Sequence, residues 1–261
     1  MKKASNRLIY DLINELAPFE TQEDYDNSGF LIGDMDREVQ RVLVSLDATP
    51  EVIDEAVSRK AQLLITHHPV MFHAVKNIRD DNYDGRLLSK LLKSGLSLIS
   101  AHTNLDLSDL SGGTAIAEKL GLSGIRKGLD PVLTLGELKE PCAAEELGRR
   151  ISSLMGMRLR CYGAPDTLIS TLALAGGAYD IGFENAMKEG AQALLTGEVR
   201  YHNAIAAVQS GFVLFDGGHY QTEEPMMRKL AVYLQSRLNQ LQLSVEVYAS
   251  ECRHHSEGYT F

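Results

Sequence analysis

The chain has 261 residues, 44% hydrophobic and 23% charged, a balance that excludes disorder as the main state. Its 26 Lys and Arg against 35 Asp and Glu leave a formal charge of −9. Such a surface repels phosphate backbones, which argues against duplex nucleic acid as the main partner, and it attracts cations.

This length suits one large or two small domains and buries enough surface to need no disulfides. The three cysteines, Cys142, Cys161 and Cys252, are widely spaced and form no C-x-x-C pair. They fit a reducing compartment and offer no cysteine-based zinc site. No apolar run is long enough to span a membrane. The start, Met1-Lys2-Lys3-Ala4-Ser5-Asn6, leads into a mixed amphipathic segment instead of a signal peptide. A cytoplasmic protein with no membrane partner is expected.

Leu8–Ala17 reads as a helix with Leu8, Ile9, Leu12, Ile13 and Leu16 on one face. Asp26-Asn27-Ser28-Gly29 is a turn signal before the short apolar run Phe30–Gly33. Val42–Leu46 is a β-branched-rich strand closed by Asp47, and Thr49-Pro50 opens a helix to about Arg59. Leu63–Thr66, a helix over about Gly85–Lys93, and Ser97–Ser100 complete a βαβαβ pattern. Ser123–Thr171 holds a helix near Ala143–Met155 and two strands. The pattern then recurs: strand Leu172–Ala175, helix Ile181–Glu189, strand Ala193–Thr196, helix Asn203–Gln209, strand Phe212–Phe215. A long helix, Glu224–Gln240, and a closing strand, Leu243–Tyr248, end the chain.

The recurrence is visible in letters. Ala61-Gln62-Leu63-Leu64-Ile65-Thr66 matches Ala191-Gln192-Ala193-Leu194-Leu195-Thr196 at an offset of 130, which also sets Ala56 on Ala186 and Ala48 on Ala178. An unbroken offset through strand, helix and strand predicts a duplication. The fold expected is two linked, internally duplicated α/β domains with mostly parallel sheets. The boundary is drawn as 1–125 and 126–261, with the C-terminal helix able to pack back on the first half.

Histidines and carboxylates cluster at strand ends. His67-His68-Pro69 follows the first half's middle strand, and His102-Thr103-Asn104-Leu105-Asp106 follows its third. His219-Tyr220-Gln221-Thr222-Glu223 follows the third strand of the second half. In parallel α/β sheets, sites form at the carboxyl ends of strands. Imidazole nitrogens and carboxylates suit Zn, Mn, Fe, Co or Ni. Adjacent His67 and His68 can serve different ions, and Asp106 or Glu223 can bridge them, which reads as a dinuclear site. Simpler readings stand beside this one. His-His-Pro can be an ordinary loop, and His102 can bond its neighbours. Asp106 can be an N-cap for the Gly112-Gly113 segment, and Glu223 an acid in a helix's first turn. Gly176-Gly177 reads as a tight turn, and His73 as a loop residue. Glu198 and His202 lie where His67-His68 lie in the first half, as second-tier or substrate-contacting candidates. The roles of His102 and His254-His255 are open.

Four stretches resemble the Nif-three-like family, often labelled GTP cyclohydrolase 1 type 2 homologues. They are Tyr25-Asp26-Asn27-Ser28-Gly29, Ile65-Thr66-His67-His68-Pro69, Ser100-Ala101-His102-Thr103-Asn104-Leu105-Asp106 and Gly217-Gly218-His219-Tyr220-Gln221-Thr222-Glu223. The resemblance implies two divalent cations per subunit held by His67, His68, Asp106, His219 and Glu223, with Glu223 as the bridge. It also implies a homohexameric ring with its sites facing an inner cavity. The stretch between the halves is too short for the domain inserted in some relatives, so this is the compact form. Tyr25 replaces the tryptophan usual before the Asp-Asn turn, and the C-terminal end is atypical. The label implies a metal-dependent hydrolase acting on a nucleotide or cyclic amide or amidine. A non-enzymatic metal-handling protein or a regulatory interaction protein is the alternative.

Overall fold

The computed structural model describes residues 4–252, so His254-His255 lie outside the described residues. The chain divides into two compact units. One takes the chain up to Ser108 and again from Met227, and the other takes Asp109–Met226.

In the first unit, β1 (Ala4–Ser5) leads into α1 (Asn6–Leu16), and then come β2 (Gly29–Ile32), β3 (Glu38–Val39) and β4 (Arg41–Ser45). After these follow α2 (Pro50–Ser58), β5 (Leu63–Thr66), α3 (Tyr83–Ser94), β6 (Ser97–Ser100) and the single turn α4 (Thr103–Asp106). Thr49 caps α2 by accepting from Val52 N, with Pro50 in the first turn, as the sequence predicts. Strands β4, β5 and β6 pair in parallel, and β2 closes one edge antiparallel to β6. Leu43, Leu64 and Leu98 are fully buried, each contributing about 1.5–3 kcal/mol of apolar burial.

The second unit holds α5 (Gly112–Leu120), β7 (Ser123–Lys127), β8 (Thr134–Ala143), α6 (Ala144–Met155), β9 (Arg160–Tyr162) and β10 (Leu168–Leu174). It continues through α7 (Phe183–Lys188), β11 (Ala193–Thr196), α8 (Tyr201–Gln209) and β12 (Val213–Asp216), and α9 (His219–Gln240) begins there. The strand order is β7-β8-β10-β11-β12-β9. Only β10–β11 and β11–β12 are parallel, whereas β7–β8, β8–β10 and β12–β9 are antiparallel. The expectation of a mostly parallel sheet therefore holds in the first unit and is corrected here. A short connection such as that between β7 and β8 returns the chain antiparallel, because a parallel return needs a longer crossover. The first unit's sheet gains β13 (Glu246–Ala249), which pairs in parallel with β4.

The boundary expected at 125 is also corrected. The helix α5 belongs with the second unit, because Gly112 and Gly113 press against it. A Cβ on Gly112 would meet Thr222 O at 2.6 Å, and one on Gly113 would meet Leu174 O at 2.6 Å. The helix is capped by Ser111, whose hydroxyl accepts from Thr114 N, and not by Asp106. The helix expected from Glu224 starts at His219, with Pro225 inside it.

The duplication holds at the level of register. Val42 pairs with Leu63 in the first unit, and Leu172 with Ala193, 130 residues on, in the second. Gln62 Oε1 accepts from the backbone of Gln40 and Arg41, and Gln192 Oε1 from that of Ser170 and Thr171. Lys60 and Gly190, again 130 apart, both close their helices at positive φ.

One departure from the repeat organises the second unit. Asp180, 1% exposed, stands where Pro50 stands in the first. It accepts from Arg200 N at 2.6 Å, from Arg200 Nη2 at 2.9 Å and from Asn203 Nδ2 at 2.9 Å, and so ties down the start of α8. Burial opposes its charge, but the bonds from Arg200 and Asn203 outweigh it and hold the carboxyl below the usual range. A carboxyl lowered on folding stabilises fully above its unfolded value of about 4 and loses that contribution as pH falls below it. Asp180→Ala is therefore expected to cost about 2 kcal/mol at pH 7 and distinctly less at pH 3. Urea unfolding at the two pH values measures this, and an equal cost at both would remove the charge from the account.

Candidate metal centre

In the first unit the site grows from the ends of β5 and β6. His67 is fully buried, and its Nδ1 lies 2.8 Å from Ala101 O. His68 Nδ1 lies 2.7 Å from Asp47 Oδ1, at the end of the adjacent strand β4. His102 Nδ1 lies 2.8 Å from Asp26 Oδ1. A carbonyl or an ionised carboxylate only accepts, so each Nδ1 carries the proton. His67, His68 and His102 each offer a ligand atom within 4.8 Å of the others. Asp106, on α4, brings Oδ2 to 3.8 Å from His67 Nε2. The structure thus joins His67, His68 and Asp106, and adds His102, which the family pattern leaves out of the ligand set.

Asp26, in the turn expected from the sequence, also supports this cluster. Its oxygens also accept from Thr103 N and Oγ1, from Ser28 Oγ and from Asn27 N. Burial works against its charge, and the bonds from His102 and Thr103 more than reverse this, holding the carboxyl well below the ordinary range.

In the second unit His219 opens α9, and Glu223 follows one turn later on the same face. His219 Nδ1 lies 2.7 Å from Glu198 Oε1, and its Nε2 lies 3.1 Å from Glu223 Oε2. With the Nδ1 proton committed to Glu198, a second ring proton or a shared cation would reconcile Nε2 with the carboxylate. Glu223 is only 4% exposed. The small residues expected to form a tight turn make this possible. Gly177 has φ +59, and a Cβ there would overlap Glu223 Oε1 and stand 3.2 Å from His219 Nε2. Gly177 N donates to Thr222 Oγ1, and a Cβ on Gly197 would meet His219 Cα at 2.8 Å.

The repeat exchanges roles between the units. Glu198 lies 130 residues beyond His68, and Gly177 the same distance beyond Asp47. The first unit places histidine after the middle strand and its carboxylate after the neighbour. The second places the carboxylate after the middle strand and histidine after the third. Of the two candidates beyond β11, Glu198 meets His219, whereas His202 is exposed on α8 with its ring edge towards Tyr201.

Within each unit, the donors fit a divalent transition metal. Three histidines have Nδ1 fixed by carboxylates and one by a carbonyl, the usual support of metal-bound imidazole. Carboxylate oxygens complete the set.

The sequence profile of the family described as Duf34/NIF3 (NGG1p interacting factor 3) matches residues 4–256. The chain belongs to the DUF34/NIF3 family. It is 29% identical over 252 residues to a GTP cyclohydrolase 1 type 2 homolog of Clostridium acetobutylicum, covering 93% of this chain and 94% of that protein. It is 32% identical over 229 residues to the GTP cyclohydrolase 1 type 2 of Helicobacter pylori, covering 87% and 90%. A crystal structure of a Staphylococcus aureus protein superposes with a TM-score of 0.94 at 22% identity, covering both chains fully, a likeness of fold. No helix among the described residues is long and apolar enough to cross a membrane.

Proposed function

We propose that this chain is a metal-dependent hydrolase that holds two divalent cations through His67, His68, Asp106, His219 and Glu223. Its substrate is a nucleotide or another cyclic amide or amidine. The observation that carries the reading is the shared arrangement of its histidines: each proposed histidine ligand has Nδ1 within hydrogen-bond distance of an acceptor, the support typical of metal-bound imidazole. The names of the relatives supply the reaction class.

Bound cations lower the pKa of a water towards neutrality and polarise a carbonyl or amidine carbon. The protein's own part is positioning and charge. Asp47 and Glu198 orient His68 and His219, and Ala101 O orients His67. Glu223 supplies a buried negative charge against two positive ions. His102 is held by Asp26 beside His67 and His68.

The test is reconstitution of metal-free protein with Mn, Fe, Co, Ni or Zn, followed by elemental analysis and turnover of GTP and a panel of cyclic amides. More than one ion per chain is expected, with turnover lost on chelation. Glu198→Gln should weaken metal binding about 10- to 100-fold with little change in fold. Stoichiometric metal that passes to an acceptor apoprotein, with no substrate turned over, would replace the hydrolase with a metal-handling protein.

A further inference from the structure

We propose that Tyr25 and Phe72 form a stacking wall for a planar aromatic or heteroaromatic ring of the substrate, beside the histidine cluster of the first unit. This deepens the hydrolase reading and rests on it for the chemistry that follows binding.

Tyr25 is 64% exposed and Phe72 is 37% exposed. Their centroids are 6.2 Å apart with planes at 57°, so neither ring covers the face of the other. Phe72 stands 5.9 Å from the His102 ring, nearly perpendicular to it. His102 in turn lies 4.9 Å from His67 and 5.5 Å from His68. The rings form a continuous series from solvent to the candidate ligands.

The segments carrying the two rings are tied together. Asn27 Nδ2, two residues after Tyr25, donates to Met71 O, immediately before Phe72, at 2.7 Å. Gln22 Oε1 accepts from Ser28 N at 2.7 Å, and Asp26 takes His102 and Thr103 from below. Held aromatic faces lose little conformational freedom when a ring stacks on them, and every planar base has a face to offer. An aliphatic substrate would gain only contact area from this surface. A planar ring gains the stacking as well, and is brought beside His102 and His68.

Binding to the full chain is measured by equilibrium dialysis with guanosine monophosphate and with ribose 5-phosphate, which lacks the ring. Both metal-free and metal-loaded protein are used. The nucleotide is expected to bind more tightly. Tyr25→Ala and Phe72→Ala should each weaken it about 5- to 150-fold, leaving ribose 5-phosphate and metal content unchanged. Tyr25→Phe should restore binding. Because the chain has no tryptophan, Tyr25→Trp supplies a single fluorophore that the nucleotide should quench and ribose 5-phosphate should not.

Equal binding of the two probes, binding of neither, or nucleotide binding unaffected by both alanine variants would overturn the inference. Ring-selective binding in a protein that takes up no metal keeps the wall and removes the hydrolase reading. Metal-dependent turnover with no ring selectivity does the reverse.

Discussion

Glu223→Gln is expected to bind divalent metal about 10²- to 10³-fold more weakly than the parent, while its metal-free form unfolds no earlier. The substitution keeps the side chain's volume and removes its charge. At 4 Å and an effective dielectric constant of 20, two unit charges interact by about 4 kcal/mol, close to a thousandfold in affinity. Glu223 is 4% exposed and shares its helix face with His219 Nε2, 3.1 Å away, so solvent screens that interaction little. Without metal the sign reverses, because a buried carboxylate is costlier to desolvate than an amide. Calorimetric titration with Zn or Mn, with melting curves at matched free metal, separates the two effects. Metal stabilisation follows mass action, so the variant's melting point should rise far less on metal addition. Unchanged affinity would remove Glu223 from the ligand set.

Gly177→Ala is expected to lower metal affinity about 10- to 100-fold although it alters no ligand. Its φ of +59 costs a non-glycine residue about 1–2 kcal/mol, and the new Cβ would overlap Glu223 Oε1. Gly190→Ala is the matched control, since Gly190 has φ +87 and open space where its Cβ would stand. Both variants should lose stability in urea, about 1 kcal/mol or more, and only Gly177→Ala should lose metal. Equal metal affinity in the two would show that the close approach of Gly177 to Glu223 has no bearing on the site.

The parallel core was legible in the sequence because its strands are buried on both faces. Val42–Val44, Leu63–Ile65 and Leu172–Leu174 are near-continuous apolar runs, the pattern such strands require. The offset of 130 carried further than composition, down to the glutamines that bond the preceding strand. The antiparallel strands of the second unit were less legible. Short, part-exposed β7 and β9 have little apolar pattern, and their pairing depends on which edges are free.

The last helix is expected from Glu224, and Pro225 beside it would suit a first turn, where its missing N–H is no loss. The helix nevertheless begins at His219, where Gly112, Gly176, Gly177 and Gly197 leave room for its first turns. This extension turns His219 and Glu223 from loop neighbours into a pair one turn apart.

By itself the sequence determined the types of donor atom and their place at strand ends, since alternating strands and helices put those ends on one side of each sheet. Only the tertiary structure decided which nitrogen each histidine presents. Asp47 comes 21 residues before its histidine and Asp26 76 before, and both look like ordinary turn residues in the chain. They reach the rings because β4 lies beside β5 and β2 beside β6. The proton on each Nδ1 follows from pairing across the sheet, which no local pattern encodes.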